Sequence, residues 1–288
     1  MMAKEICIIS GKGGTGKTSL SAAFATLSKK MIVADCDVDA ANLYLILQPD
    51  NNINQSFISG YKAVLNTSLC NQCNLCAGYC RFEAISISGK GITISEIFCD
   101  GCKLCSRVCP HGAIRMIPND QSKWYSGNYR NGRMVHARLA PGEENSGKLV
   151  NIVREYARKV SEQTGWNTII IDGPPGTGCP VISSLTGTST AIIVTEPSMS
   201  GLHDLKRIAE LTRNFKIQTY VVINKYDINP AIVTEISKWC RENNLEVIGN
   251  IPFDQSITEA MIHCKSINEW KPDSAAAIEI IKIWDRIQ

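Results

Sequence analysis

Eight residues near the start of the chain, Gly11-Lys12-Gly13-Gly14-Thr15-Gly16-Lys17-Thr18, follow the apolar run Ile6 to Ile9 and open a helical pattern. A glycine-rich turn between a strand and a helix curls so that successive N–H groups face one point, and the helix N-terminus adds partial positive charge there. Strand, loop and helix together are the context a polyphosphate cradle requires. Within it Lys17 is expected to reach the β and γ phosphates, and the Thr18 hydroxyl to ligate Mg²⁺.

The rest of the chain agrees with such a beginning. Ile6 to Ile9, Met31 to Ala34, Thr168 to Ile171, Ala191 to Thr195, Thr219 to Ile223 and Val247 to Ile251 are β-branched apolar runs. Helical patterns cover Thr18 to Lys30, Ser146 to Gln163, Leu202 to Arg213, Ala231 to Asn243, Ser256 to His263 and Ser274 to Gln288. Buried strands separated by helices predict an α/β fold, a doubly wound and mostly parallel sheet covered on both faces. The pattern breaks once, where eight cysteines crowd together among short strand-like pieces, Ala84 to Ile87 and Ile92 to Ile94. Residues 54–118 are therefore expected to be an inserted small α+β domain, with 1–53 and 119–288 forming the main one. Residues 119–145, rich in Gly, Asn, Arg and Tyr, are expected to be a long connection back into it.

A formal charge of +3 with no run of Lys or Arg gives no nucleic-acid footprint. The chain starts without a basic leader or cleavage site, and no uncharged apolar stretch approaches the ~20 residues that cross a bilayer. A soluble, cytoplasmic chain is expected. Thirteen cysteines in a reducing compartment then point to metal or redox chemistry rather than disulfides.

Lys12, just after the first glycine of the loop, makes the run resemble the deviant Walker A motif of the superfamily that holds MinD, ParA and the nitrogenase iron protein. The resemblance implies that Lys12 reaches across a nucleotide-sandwich homodimer to the partner's phosphates. Ala34-Asp35-Cys36-Asp37-Val38-Asp39 resembles that superfamily's first switch, which implies that Asp37 orients the attacking water and Asp35 supports the Mg²⁺ shell, with Asp39 a solvated loop carboxylate. Asp172, ending Ile169-Ile170-Ile171 and entering Gly173-Pro174-Pro175-Gly176, resembles the second switch and its metal-serving aspartate. Asn224-Lys225-Tyr226-Asp227 has the Asn-Lys-x-Asp form of a guanine reader. The resemblance instead implies that Asn224 contacts adenine, with the backbone near Pro252, Phe253 and Asp254 closing the base pocket. ATP is favoured and GTP stays open.

Cys70-x₂-Cys73-x₂-Cys76-x₃-Cys80 is followed by Cys99-x₂-Cys102-x₂-Cys105-x₃-Cys109-Pro110, the spacing of ferredoxins with two [4Fe-4S] clusters. Three close thiolates wrap one face of a cubane and the fourth cysteine of each run serves the other cluster. The expected ligand sets are Cys70, Cys73, Cys76 and Cys109 for one cluster, and Cys99, Cys102, Cys105 and Cys80 for the other. Two such clusters would bring the net charge to about −1. Four-thiolate zinc sites are the alternative, and Arg81 stands where the first run would usually carry proline. The clusters are expected to move single electrons, or else to supply folding energy to the inserted unit. Cys7, Cys36, Cys240 and Cys264 are expected to be small buried hydrophobes. Cys179, seven residues after Asp172, resembles the cluster-ligating cysteine that follows the second switch in the nitrogenase iron protein.

As a whole the chain resembles the MinD-superfamily ATPases that carry an inserted ferredoxin domain, a match that includes Arg138-Leu139-Ala140-Pro141-Gly142-Glu143-Glu144-Asn145-Ser146-Gly147-Lys148. It implies a nucleotide-driven dimer switch coupled to redox clusters, serving electron transfer or iron-sulfur and metallocluster handling for a partner protein. The alternative is a MinD-like positioning or regulatory ATPase whose clusters are structural or redox-sensing. A membrane-binding tail would need a basic amphipathic helix. The last helix has Ile278, Ile281 and Trp284 on one side and a neutral polar face, and is expected to pack against the sheet instead.

Overall fold

β-branched, apolar segments form the strands and the periodic segments between them form the helices. In chain order the first are β1 (Lys4–Ser10), α1 (Lys17–Leu27), β2 (Met31–Asp35) and α2 (Leu43–Leu47). Next come β3 (Ile53–Phe57), β4 (Gly60–Leu65), α3 (Leu75–Tyr79), β5 (Ile85–Ser88), β6 (Gly91–Ile94), α4 (Leu104–Val108) and β7 (Ile114–Asn119). They are followed by β8 (Ser122–Tyr129), β9 (Gly132–Arg138), α5 (Ser146–Thr164), β10 (Thr168–Pro175), α6 (Cys179–Leu185), β11 (Thr190–Thr195) and α7 (Met199–Asn214). The chain ends with β12 (Gln218–Asn224), α8 (Pro230–Glu242), β13 (Glu246–Ile251), α9 (Gln255–Ile262), α10 (Ile267–Trp270) and α11 (Ala275–Ile287). The structure is a computed structural model describing residues 3–89, 91–141, 143 and 146–288. Gly142, Glu144 and Asn145, within the stretch 138–148 singled out above, lie outside the described residues.

Contacts divide the chain into two units, Met1–Asn54 with Trp124–Arg138 and Ser146–Gln288, and Gln55–Lys123 with Leu139–Asn145. The larger is an α/β unit on a nine-stranded sheet of order β13-β12-β11-β1-β10-β2-β9-β8-β3. From β13 to β9 every neighbouring pair is parallel. Ile6, Ile8, Val33, Ile170, Ile192 and Val222 share one core with Leu20 and Phe24 of α1 and Ile280 and Ile283 of α11. Each such fully buried aliphatic side chain contributes about 1.5–3 kcal/mol.

Two expectations are corrected here. Residues 119–145 are not a long structureless connection: they contain β8 and β9, joined by two residues, and β9 extends the parallel sheet beside β2. The last helix does pack inward, but through Ile280, Ile283, Trp284 and Ile287, whereas Ile278 is 44% exposed. Phe24 meets Trp284 at 4.9 Å between ring centroids. That contact, together with Leu20 and Ala23, fixes the helix that begins at Lys17. An ion-pair network of buried Glu5 with buried Arg154 and the more exposed Arg158 ties β1 to α5. Arg154 also donates to the carbonyls of Ser183 and Thr186 at the end of α6.

The smaller unit has two antiparallel pairs, β4 with β7 and β5 with β6. Ala63, Ala84, Ile85, Ile92 and Ile114 pack around Cys76 and Cys99 in its core. Each cysteine run turns in the same way. The residue after its second cysteine, Asn74 or Lys103, is left-handed at φ 62° or 67° and starts a one-turn helix, α3 or α4. Asn tolerates that conformation better than Lys.

Candidate functional site

β1 delivers the chain to the glycine-rich turn, and α1 leaves it with no side chain capping its N-terminus. The first N–H groups of α1 are therefore open to an anion. Gly16 is left-handed at φ 96°, and a Cβ there would land on Asn224 Nδ2, so only glycine fits. Lys17, 5% exposed, is lowered from its usual pKa by burial, against the opposing charges of Asp172, Asp37 and Asp35.

Those carboxylates come from neighbouring strand ends. Asp172 of β10 and Asp35 of β2 are direct register partners, so their side chains share the α1 face. Ser21 Oγ donates to Asp172 Oδ1 at 2.8 Å, and the Asp37 N–H donates to Asp35 Oδ1 at 3.2 Å. The second oxygen of each, Asp172 Oδ2 and Asp35 Oδ2, is buried with no hydrogen-bond partner among the described residues, and so is Thr15 Oγ1. Burial pushes Asp172 up to about 6, against the Ser21 hydroxyl, the Lys17 charge and the Thr18 hydroxyl. Burial, and then the charges of Asp172 and Asp37, push Asp35 well above the carboxylate range. Asp37, half-buried, is raised by burial and pulled down by Lys17. Orphaned oxygens on two register-paired aspartates, with the Thr18 hydroxyl against Asp172, fit a divalent cation, because leaving them unpaired costs several kcal/mol that a cation removes.

Lys12 turns toward its own chain. Its Nζ lies 2.6 Å from Glu196 Oε1 and donates to Ser200 Oγ at 2.9 Å. Lys225 Nζ holds the other oxygen of Glu196 at 3.4 Å and donates to the Gly14 carbonyl at 3.3 Å. Burial pushes Glu196 up, but the Lys12 and Lys225 charges outweigh it and hold the carboxyl below its usual range. Nothing in the local sequence near Glu196, Ser198 or Ser200 signals this contact, which joins Lys12 to serines 186 and 188 positions away.

Asn224 donates through Nδ2 to the Thr15 carbonyl at 2.8 Å and accepts at Oδ1 from the Lys225 N–H at 3.0 Å. In this structure it braces the loop. Asp254 caps α9 by accepting from the Ser256 N–H at 2.8 Å. Asp227 Oδ1 accepts from the Phe253 N–H at 2.7 Å. Phe253, beside Pro252, is 59% exposed.

In the smaller unit the eight spaced cysteines gather as two fours. Cys80, Cys99, Cys102 and Cys105 line one cavity with Phe82 and Met116. Cys70, Cys73, Cys76 and Cys109 line another with Leu65 and Ile114. Among the described residues no three His, Cys, Asp or Glu side chains converge as a single metal ion requires. Burial pushes the Cys76 and Cys105 thiols up, so anionic sulfur there needs a cationic core beside it. An N–H donates to one sulfur of each four, Ala63 to Cys99 and Ala113 to Cys109. Apolar walls, four thiols and N–H···S bonds fit a cubane cluster. Of the other cysteines, Cys7, Cys36 and Cys240 are buried. Cys264 is only partly buried and Cys179 is exposed.

A parallel sheet whose first strand runs through a glycine-rich loop into an uncapped helix, with buried carboxylates at the neighbouring strand ends, defines a P-loop nucleotide-binding protein. The family model of the CobQ/CobB/MinD/ParA nucleotide binding domain matches residues 6–267, and the chain belongs to that family of ATPases. An uncharacterised protein of Methanocaldococcus jannaschii is 34% identical over 228 residues, 78% of this chain and 79% of its own. An ATP-binding protein of the same organism is 26% identical over 289 residues, 98% of this chain and 87% of its own. Among solved structures, the septum site-determining protein MinD of Pyrococcus horikoshii, complexed with Mg-ADP, superposes with a TM-score of 0.62 at 20% identity, covering 100% of this chain and 96% of that one. Among the described residues no helix is long and apolar enough to cross a membrane.

Proposed function

We propose that the protein is an Mg²⁺-dependent ATPase that switches between one copy and a nucleotide-bound pair, as a MinD-like regulatory or positioning ATPase. The observation that carries it is the pair of orphaned oxygens on Asp35 and Asp172 beside Lys17 and Thr18. In this reading Gly11, Gly13, Gly14, Thr15 and Gly16 cradle the phosphates and Lys17 neutralises them. Thr18 and Asp35 serve the Mg²⁺, Asp172 stands behind it, and Asp37 orients the attacking water. ATP is favoured over GTP because the relatives named for a nucleotide are named for ATP and Mg-ADP, and because Asp227 already holds the Phe253 backbone. Asn224, Pro252 and Asp254 then border the base. Lys12 leaves Glu196 to reach the phosphates held by the second copy.

The smaller unit, in the same proposal, is a ferredoxin-like insertion holding two [4Fe-4S] clusters, one in each four-cysteine cavity. Among the described residues no three of these thiols converge as one zinc ion requires, which favours cubanes over zinc. Similarity to MinD favours clusters that sense redox state or hold the unit together. One observation favours a second reading, nucleotide-gated electron transfer to a partner. Cys73 and Cys102 are exposed, so one edge of each cluster would meet solvent where a partner could dock.

Anaerobic purification, iron and sulfide assay, and equilibrium binding of Mg-ATP and Mg-GTP test the assignment. Eight irons per chain and tighter ATP binding are expected. A colourless protein that retains no nucleotide would sink it. Stopped-flow reduction with and without ATP separates the two readings, since electron delivery requires a rate that depends on nucleotide.

A further inference from the structure

Glu143 and Lys62 form a charged pair inside the smaller unit, with side chains only 5% and 12% exposed and Glu143 Oε1 3.7 Å from Lys62 Nζ. Glu143 is fixed further by hydrogen bonds from Ser59 Oγ and Asn119 Nδ2, at the ends of β4 and β7. Lys62 Nζ in turn donates to the Cys99 carbonyl at 3.0 Å. The next residue, Ala63, donates its N–H to Cys99 Sγ at 3.5 Å. A buried ammonium thus stands against the backbone of one cysteine of one cavity, with its counter-charge 3.7 Å away. Lys103 and Asp100 line that cavity directly, with Lys62 behind them, whereas among the described residues the other cavity is lined by His111 and by no Lys or Arg.

Resting on the cluster assignment proposed above, the geometry points to Lys62 as a buried charge that helps make the two clusters unequal. Its charge raises the reduction potential of the cluster held by Cys80, Cys99, Cys102 and Cys105, and Glu143 sets by how much. One electron from an external low-potential donor such as dithionite takes a [4Fe-4S] core from 2+ to 1+, with no bond broken and no proton moved. The added negative charge is stabilised by a fixed cation in a weakly screening interior. Glu143 cancels part of that field. Glu143 belongs to the 139–145 segment, which runs in sequence directly into α5, so the counter-charge sits on the chain's return to the ATPase unit.

The test is a redox titration of the full, iron-loaded chain followed by electron paramagnetic resonance. The wave that changes in Cys102→Ser marks this cluster and the wave that changes in Cys73→Ser marks the other. Glu143→Gln, which keeps size and removes charge, should shift the first wave upward by about tenfold in the reduced-to-oxidised ratio at fixed potential, about 59 mV. Lys62→Met should shift it downward by at least as much. Lys62→Arg should stay near the parent value, and the second wave should not move. Opposite shifts cannot come from loosened packing alone, which would move both variants the same way. Same-direction shifts, or none, in a protein still holding eight irons would overturn the inference and leave the cluster assignment standing. A protein without iron would remove both.

Discussion

Lys12 Nζ and Glu196 Oε1 stand 2.6 Å apart, so the lysine that marks this loop is paired within its own chain. Both side chains are partly solvated, 32% and 21% exposed, and exposed pairs of this kind contribute only about 0–1 kcal/mol. Lys12→Ala should therefore leave the melting temperature almost unchanged while lowering ATP turnover by about a hundredfold or more, the size of effect expected when a charge on the transferred phosphate is lost. Thermal unfolding and steady-state phosphate release on the same preparation check it. A stable variant that hydrolyses ATP at the parent rate would show Lys12 to be a surface lysine.

Asp172 yields a prediction with a sign. Its carboxyl is raised to about 6 in the folded chain and titrates near 3.9 when unfolded. Between these values the folded state holds the proton and the unfolded state has released it. The metal-free protein should therefore lose stability as pH rises from about 4 to 6, then show no further change from this group. Mg-nucleotide needs the ionised form, so its affinity should run the other way and weaken as pH falls through about 6. Denaturant melts with and without Mg-ATP across pH 4–8 measure both. Asp172→Asn should abolish the Mg²⁺-dependent stabilisation while leaving the metal-free protein at least as stable near neutral pH, because a buried charge has been removed.

Gly16 and Asn224 meet too closely for any side chain on the loop. Gly16→Ala imposes a clash with the Asn224 amide and a left-handed alanine, together about 1–3 kcal/mol. Asn224→Ala removes the clash but also the bond to the Thr15 carbonyl. The two changes should be non-additive, with the double variant more stable than the sum of the single losses by about 1 kcal/mol. A double-mutant cycle in urea reads the coupling, and strict additivity would mean that the amide simply swings aside.

How far these features can be read without the fold depends on the distance over which each is encoded. β1, the loop and α1 are contiguous, and a strand buried on both faces shows as an uninterrupted run such as Ile169-Ile170-Ile171. β8 and β9 misled because Gly127, Asn128, Asn131 and Gly132 have the composition of a loop. In the structure Gly127 is a point of close approach, where a Cβ would collide with Asn51 N and Asp50 Oδ1. Glycine there allows packing within a strand rather than interrupting it. The Lys12–Glu196 and Lys62–Glu143 pairs join distant positions through charges of ordinary local appearance, so only tertiary structure brings them out. For α11 the period was right and the phase was wrong. Packing on Phe24 and β13 selects Ile280, Ile283 and Ile287, which a helical repeat alone does not decide.

Cys80 tests the cluster assignment most directly, because it belongs by sequence to the first run and by position to the cavity of the second. If each cavity holds a cubane, Cys80→Ser should alter the same paramagnetic signal as Cys102→Ser and spare the one altered by Cys73→Ser. Iron should fall from about eight toward four per chain in each case. Cys109→Ser should do the reverse, joining Cys73 across the chain. ATP binding at the glycine-rich loop should persist in all four variants, since none of these thiols belongs to the unit that carries Lys17 and Asp172. If instead each run closed on its own metal, Cys80→Ser would travel with Cys73→Ser. The crosswise sets would then be wrong even though every cysteine still bound metal.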